Sequence, residues 1–192
     1  MMVKICGITN VEDALAAIEG GAAALGFNFW PRSTRYVTPE AARKIIERLP
    51  ATIWKAGVFV DETAGAVAET MREAGLDIAQ LHGRETAADF PQRVRVWKAV
   101  RMGASFDAAM LAEYPAEAVL LDGPANGMPF DWTLAAGASQ KVIVAGGLDA
   151  GNVRRAIEQA RPWGVDACSR IESAPGKKDH RKMAEFLKAA LT

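Results

Sequence analysis

The sequence predicts a compact (β/α)8 barrel, the TIM-barrel fold, formed by residues 1–192 as a single domain. Two observations predict it. Short apolar runs alternate eight times with stretches of helical spacing, and no linker, low-complexity tract or block of charge divides the chain. An open doubly wound sheet is the alternative, but it normally has fewer strands and leaves the eighth unit unexplained. Such barrels are typically about 250 residues long, so this chain must have short loops.

The predicted strands are short apolar runs, and several of them end in a polar side chain. In chain order they are Val3–Cys6, Ala23–Phe29, Ile53–Val60, Ile78–His82, Val94–Val100, Ala118–Asp122, Lys141–Ala145 and Gly164–Cys168.

A predicted helix follows each strand. Thr9 or Asn10 can cap the first helix, and Thr38 with Pro39 forms a good cap and first-turn pair for the second. The sixth helix is so short that we expect it to be vestigial. The predicted helices are Val11–Glu19, Pro39–Arg48, Ala64–Ala74, Glu85–Phe90, Phe106–Tyr114, Trp132–Leu134, Asn152–Gln159 and His180–Ala190.

The composition is that of a globular protein, with 50% hydrophobic and 24% charged residues. Its 23 basic and 23 acidic side chains give no reason to expect a nucleic acid or an anionic membrane as partner. Two cysteines are too few for a disulfide framework and suit a reducing compartment. No apolar run reaches the roughly 18 residues of a membrane span. With no export signal recognised, we expect a cytoplasmic protein.

Cys6 ends the first predicted strand, where barrel enzymes keep their reactive groups. Alternation along a strand puts Lys4 on the same face as Cys6, and an ammonium beside a thiol favours the thiolate. The alternative is a small, buried and inert cysteine, which we favour for Cys168 but not for Cys6.

Asp122 ends the sixth predicted strand after four apolar residues, a place that packing explains poorly. Burial there would raise the pKa of the carboxyl and keep it protonated enough to act as an acid. The alternative is an aspartate that caps or braces the following loop.

Four segments together carry a resemblance that spans nearly the whole chain. They are Lys4-Ile5-Cys6-Gly7-Ile8-Thr9, Pro31-Arg32-Ser33-Thr34-Arg35-Tyr36-Val37, Gln80-Leu81-His82-Gly83 and Gly146-Gly147-Leu148. In this order they resemble the phosphoribosylanthranilate isomerases of tryptophan biosynthesis. The resemblance implies an Amadori rearrangement of N-(5-phosphoribosyl)anthranilate to 1-(2-carboxyphenylamino)-1-deoxyribulose 5-phosphate, by a cytoplasmic monomer or homodimer that needs no cofactor.

The resemblance also implies roles for individual residues. Cys6 would be the general base, Asp122 the general acid, and Arg35 the group that holds the anthranilate carboxylate through its guanidinium fork. For Arg35 the alternative is a surface ion pair.

Phosphate is expected at the loops after the seventh and eighth strands, where barrels commonly bind it. Gly146 and Gly147 would let the backbone approach the anion, and Ser169 and Arg170 would supply the second half of the site. We expect Asp166 to orient loop amides, because phosphate would repel it.

Two segments depart from the family. The loop after Asp122 lacks the usual Gly-Gly-Thr-Gly run, and Arg170 replaces a glycine in the usual Ser-Ser-Gly-Val-Glu. Arg170 either binds phosphate or turns outward to pair with Glu172 or Asp179.

The histidines are predicted to be structural rather than catalytic. His82 would line the barrel mouth, although a general base is the alternative, and His180 would be solvated at the start of the last helix.

Two other functions remain open. One is the related histidine-pathway isomerisation, or a dual-substrate enzyme, although such sites normally use two aspartates. The other is a non-catalytic barrel that binds a phosphosugar as a partner subunit.

Overall fold

The computed structural model describes residues 1–103, 106, 108–124, 128–136 and 138–192. Eight parallel strands pair in chain order and close into a barrel through β1 and β8, which confirms the predicted fold and excludes the open sheet. The strands are β1 Met2–Cys6, β2 Ala24–Asn28, β3 Trp54–Phe59, β4 Ile78–Leu81, β5 Arg95–Arg101, β6 Ala118–Asp122, β7 Lys141–Val144 and β8 Gly164–Ala167.

Among the described residues, full α-helices follow strands β1, β2, β3, β7 and β8. They are α1 Val11–Glu19, α2 Pro39–Ile46, α3 Ala64–Ala74, α4 Val153–Ala160 and α5 His180–Leu191. Asn10 caps α1 through its side-chain oxygen, which accepts a hydrogen bond from the Asp13 amide at 2.8 Å. Thr38 caps α2 in the same way.

Short 3₁₀ helices replace the helices that the sequence predicts after β4 and β5, and a third follows β6, where the sequence predicts only a vestigial helix. They are Ala87–Asp89, Ala108–Glu113 and Trp132–Ala135. Only residues 82–94 connect β4 to β5, which leaves little room for a full helix. The connection from β6 to β7 contains Gly123, Pro124 and Pro129, which interrupt helices. Residues 125–127 of this loop, on which the prediction about loop closure depends, lie outside the described residues.

The side chains of β1 alternate between two environments. Val3 and Ile5 point outward into the apolar layer beneath the helices. Met2 belongs to the apolar cluster inside the barrel, and Lys4 and Cys6 stand above it on the same inner face. The barrel interior therefore changes from apolar at the amino-terminal end to charged near the carboxyl ends of the strands.

A small antiparallel hairpin, which the sequence pattern does not predict, follows β8. It consists of β9 Glu172–Ala174 and β10 Lys177–Lys178, with Gly176 at a φ of +79° in its turn. Asp13 of α1 holds the hairpin, accepting from the Lys178 amide at 2.8 Å and contacting His180 Nε2 at 2.7 Å. The His180 side chain is 52% exposed, which agrees with the prediction that it is solvated, and it also pairs with the Asp13 carboxylate.

Candidate active site

A cleft of about 770 Å³ opens at the carboxyl ends of the barrel strands. Its walls come from both halves of the chain, because every strand of a parallel barrel ends at this face. All of the residues that the sequence analysis nominated lie on its lining: Cys6, Arg35, Asp122, Gly146, Gly147, Ser169 and Arg170.

Cys6 lies beside a buried ion pair. Lys4 Nζ donates to Asp166 Oδ1 at 3.0 Å, and the Lys4 side chain is fully buried. The Lys4 ammonium and the Cys6 sulfur both lie beside Gly26 of β2. A Cβ placed on Gly26 would lie 2.7 Å from Cys6 Sγ and 3.0 Å from Lys4 Nζ, so only glycine at position 26 leaves room for this pair. The prediction that Lys4 and Cys6 share a face agrees with this geometry.

Asp166 does not orient loop amides as the sequence analysis expected. It lies opposite Lys4 in the β1–β8 register and pairs with the Lys4 ammonium instead. Burial raises the pKa of Asp166 to about 7, against the opposing attraction of Lys4. For Lys4, burial disfavours the ammonium, but Asp166 and Cys6 more than offset it and hold the pKa above its usual value.

Cys168 is the second thiol of the site, and it is less buried than predicted. It is partly exposed, lines the cleft and is hydrogen-bonded to Cys6. That hydrogen bond is the main cause that holds the pKa of Cys6 well below its usual range; burial opposes it and Lys4 assists it. The same bond, together with burial, raises the pKa of Cys168 well above its usual range. Of the two sulfurs, Cys6 is therefore the one whose surroundings favour the thiolate.

Arg35 forms a two-point ion pair with Glu172, the first residue of β9. Arg35 Nε donates to Oε1 at 2.8 Å and Nη2 donates to Oε2 at 2.6 Å. Lys178 Nζ, which is fully buried, donates to the same carboxylate at 2.9 Å. The pair lies at the cleft wall with the Arg35 side chain 22% exposed, so it is not the surface ion pair considered as an alternative.

Gly7 fixes how closely Arg35 approaches the thiols. Its φ is +76°, and a Cβ there would lie 2.6 Å from Arg35 Cδ and 3.1 Å from Cys168 Sγ. Any other residue would strain the backbone and displace both side chains. The Cys6-Gly7 pair in the sequence therefore has a steric reason.

Asp122 faces the cleft from the end of β6 and contacts His82. The distance from His82 Nε2 to Asp122 Oδ2 is 3.2 Å, and the two side chains are 22% and 25% exposed respectively. The expectation of a buried Asp122 is therefore wrong. The pair holds a proton in one of two ways: Nε2–H donates to the carboxylate, or the carboxylic acid donates to bare Nε2. His82 lines the mouth as predicted, but it also contacts the candidate acid.

A buried ion pair holds the loop that carries His82. Lys98 Nζ donates to Glu85 Oε2 at 2.9 Å and to the Gly83 carbonyl at 2.8 Å. Glu85 in turn accepts from the amides of Gly83 and Asp61. This network fixes the chain immediately after His82, and the sequence analysis missed it because Lys98 is within an apolar run.

The loops after β7 and β8 form the remaining wall. Gly146 and Gly147 have φ values of +84° and +67°, which glycine alone adopts without strain. Asn152 Nδ2 donates to the Gly147 carbonyl at 2.8 Å and stabilises this turn. Ser169 and Arg170 begin the short 3₁₀ helix Ser169–Ile171 and line the cleft beside it. Phosphate binding at these two loops stays a prediction.

A second cavity of about 660 Å³ lies at the amino-terminal end of β7, between Lys141, Glu158 and Trp163. It is away from the thiols and from Asp122, and barrel enzymes work at the opposite end. In the part of the chain that the structure describes, no group of three or more histidine, cysteine or acidic side chains could hold a metal ion.

A stabilised thiolate and a carboxyl–imidazole pair that line one cleft define the class: this is a barrel protein built to move protons on a bound ligand. The chain belongs to the family of N-(5'-phosphoribosyl)anthranilate (PRA) isomerases, whose family model matches residues 3–189. The resemblance found in the sequence is thereby confirmed.

The matched relatives are similar to this chain along almost their whole length. The N-(5'-phosphoribosyl)anthranilate isomerase of Solibacter usitatus is 57% identical over 99% of this chain and 97% of its own. The crystal structure of phosphoribosyl anthranilate isomerase from Thermus thermophilus has a TM-score of 0.94 at 38% identity, covering 100% of this chain and 98% of that one. A phosphoribosyl anthranilate isomerase in complex with reduced 1-(o-carboxyphenylamino)-1-deoxyribulose 5-phosphate has a TM-score of 0.91 at 40% identity, with the same coverage.

Proposed function

We propose that this chain converts N-(5-phosphoribosyl)anthranilate to 1-(2-carboxyphenylamino)-1-deoxyribulose 5-phosphate, the isomerisation step of tryptophan biosynthesis. The observation that supports it most strongly is the Cys6 thiolate, held beside Lys4 and Cys168 in the same cleft as Asp122. An Amadori rearrangement needs one acid and one base on the same substrate, and the family membership names the substrate.

The first step opens the ribose ring. Asp122, as the carboxylic acid, gives its proton to the ring oxygen while the C1′–O bond breaks, and a protonated Schiff base forms at C1′. His82 contacts the same carboxyl at 3.2 Å and is placed to return a proton to it. Because both side chains are partly exposed, water can replenish that proton.

The second step is proton abstraction. The Cys6 thiolate removes the proton from C2′, and the electron pair neutralises the iminium to give an enolamine. The enolamine takes up a proton at C1′ and loses its hydroxyl proton as it relaxes to the ketone. A thiol is suited to this work when its pKa lies near or below the working pH, and Cys168 and Lys4 bring this about for Cys6.

Two anchors would hold the ends of the substrate. Arg35 uses Nε and Nη2 to bind Glu172, and its remaining guanidinium edge is the group proposed to bind the anthranilate carboxylate. Phosphate would lie against the amides near Gly146 and Gly147, with Ser169 and Arg170 on its other side.

The test is a fluorescence assay that follows loss of freshly made phosphoribosylanthranilate, run beside the histidine-pathway substrate. We expect turnover of the first substrate that is lost in Cys6→Ala. Turnover of only the histidine-pathway substrate would contradict the proposal, and binding of product without turnover would indicate a non-catalytic barrel.

We further propose that residues 1–192 act as one catalytic domain in the cytoplasm. None of the helices in the described residues could cross a membrane. One Thermotoga maritima relative is described as a dimeric phosphoribosylanthranilate isomerase, from which monomers were generated. Light scattering at assay concentration distinguishes monomer from homodimer here.

A further inference from the structure

The two sulfur atoms of the site occupy neighbouring positions in the barrel wall. Ile5 of β1 is the register partner of Ala167 of β8, and both belong to the outer apolar layer. The next residue on each strand is a cysteine, and alternation turns both side chains inward. Cys6 and Cys168 therefore both line the cleft, side by side. Cys168 Sγ lies 3.1 Å from the position that a Cβ on Gly7, the residue after Cys6, would take.

The charges around this pair leave room for one thiolate. Buried charges are stable only when opposite charges offset them. Beside the two sulfurs, three cations pair with two carboxylates, and Arg170 lines the same cleft, so these groups carry an excess of positive charge that a thiolate offsets. The cations are Lys4, Lys178 and Arg35, and the carboxylates are Asp166 and Glu172. Asp122 of β6 raises the pKa of Asp166 by charge repulsion, and its own hydrogen-bond partner is His82.

Each sulfur has a buried ammonium beside it. Lys4 Nζ and Cys6 Sγ lie 3.0 Å and 2.7 Å from the position that a Cβ on Gly26 would take. Lys178 lies 3.9 Å from Cys168 Sγ, with shorter contacts to Glu172 at 2.9 Å and to the Cys168 carbonyl at 3.3 Å. Between these two ammonium groups, the pKa of Cys6 is lowered and that of Cys168 is raised. The arrangement favours the negative charge on Cys6 and the remaining proton on Cys168.

We propose that Cys168 is a positioning residue for the base: its S–H donates to the Cys6 sulfur, and the two thiols hold a single proton between them in the resting enzyme. This inference rests on the proposed function only in the assignment of Cys6 as the base. It gives a role to a cysteine that does not itself touch the reacting atoms. When Cys6 takes the C2′ proton, Cys168 keeps its own, so the pair then holds two.

The test compares Cys168→Ala with Cys168→Ser. Both variants leave Cys6 as the one thiol in the chain, so its titration is read directly from the pH dependence of alkylation by iodoacetamide, without any substrate. Serine keeps an O–H donor at the same place, and alanine removes it. We expect the midpoint for Cys6 to move up by about one pH unit or more in the alanine variant, since a hydrogen bond to a charged group is worth roughly that much. In the serine variant most of this shift should be absent.

The low-pH limb of the kcat profile should also move to higher pH in Cys168→Ala and much less in Cys168→Ser. KM should change little in either variant. Equal alkylation midpoints in the two variants would overturn the proposal, because they would show that the donor is irrelevant. Thermal unfolding of both variants checks that the fold is kept, and the isosteric serine variant remains informative if alanine destabilises the wall. Failure of the proposed function would give a different result. Cys6→Ala would then keep a near-normal kcat, while the alkylation midpoints would still differ between the two Cys168 variants.

Discussion

At the β1–β8 side of the cleft two lysines lie in buried ion pairs beside the thiols, whereas at the β4–β6 side the two ionisable groups that face the cleft are partly exposed to water. Lys4 and Lys178 have fully buried side chains. His82 and Asp122 are about a quarter exposed. The difference matches the two tasks, because a thiolate must be kept charged and a general acid must be supplied with protons.

The two sides also differ in how they are held in place. Strand register fixes Lys4 against Asp166, so the β1–β8 side, called the base side because it carries Cys6, is part of the barrel wall. The β4–β6 side, called the acid side because it carries Asp122, depends on the loop after β4 that the Lys98–Glu85 ion pair fixes in place. Substitutions on the base side should therefore disturb chemistry and stability together, and those on the acid side mainly chemistry.

The largest effect is expected for Cys6→Ala. Losing the general base should lower kcat by about 10²–10⁴-fold with KM nearly intact. Cys6→Ser is the matched control for packing, since its hydroxyl fills the site but ionises far too weakly to serve, so it should be about as inactive. Steady-state kinetics of both variants decides this, and near-normal kcat in either would remove Cys6 from the mechanism.

Asp122→Asn is expected to lower kcat by about 10²–10³-fold, because an amide cannot deliver a proton. The variant should keep the low-pH limb of the kcat profile, because that limb reports deprotonation of Cys6. A near-normal kcat in the variant would point to another acid, with His82 the first residue to examine.

Lys4→Met tests whether the Lys4–Asp166 ion pair serves catalysis as well as the stability of the barrel. It leaves Asp166 buried without its ammonium, and we expect a loss of about 3–5 kcal/mol in the free energy of unfolding. The double variant Lys4→Met, Asp166→Leu removes both charges and should regain most of that stability in urea denaturation. Its kcat should stay low, because Cys6 then lacks its ammonium. Recovery of kcat along with stability would mean that the pair only supports the fold.

Arg170→Ala gives the smallest expected change. If Arg170 binds phosphate, KM should rise roughly several-fold at low salt, and the wild-type KM should be the more salt-sensitive of the two. Lys182→Ala, an exposed lysine of α5, is the matched loss of one positive charge. Equal KM values for wild type and Arg170→Ala at low salt would leave Arg170 a surface residue.

The sequence predicts the barrel well because eight apolar runs can close in few other ways. It places Cys6 and Lys4 on one face because alternation needs only one strand. It misses the partners of both residues, since Asp166 and Cys168 are located by the register between β1 and β8, which no local pattern contains. The contact of His82 with Asp122 is missed for a similar reason, because it joins strands separated by β5.

The first and last barrel strands come together beside Cys6, so the surroundings of the general base are complete only after β8 has been synthesised. Lys4 and Asp166 are 162 positions apart. During synthesis on the ribosome, Cys6 is therefore exposed long before Asp166, Cys168 and Lys178 exist. Until β8 docks, it is an ordinary thiol with a pKa near 8.5 and is mostly protonated at neutral pH. The thiolate thus arises only with the finished barrel, so the nascent chain carries its future general base as a protonated thiol.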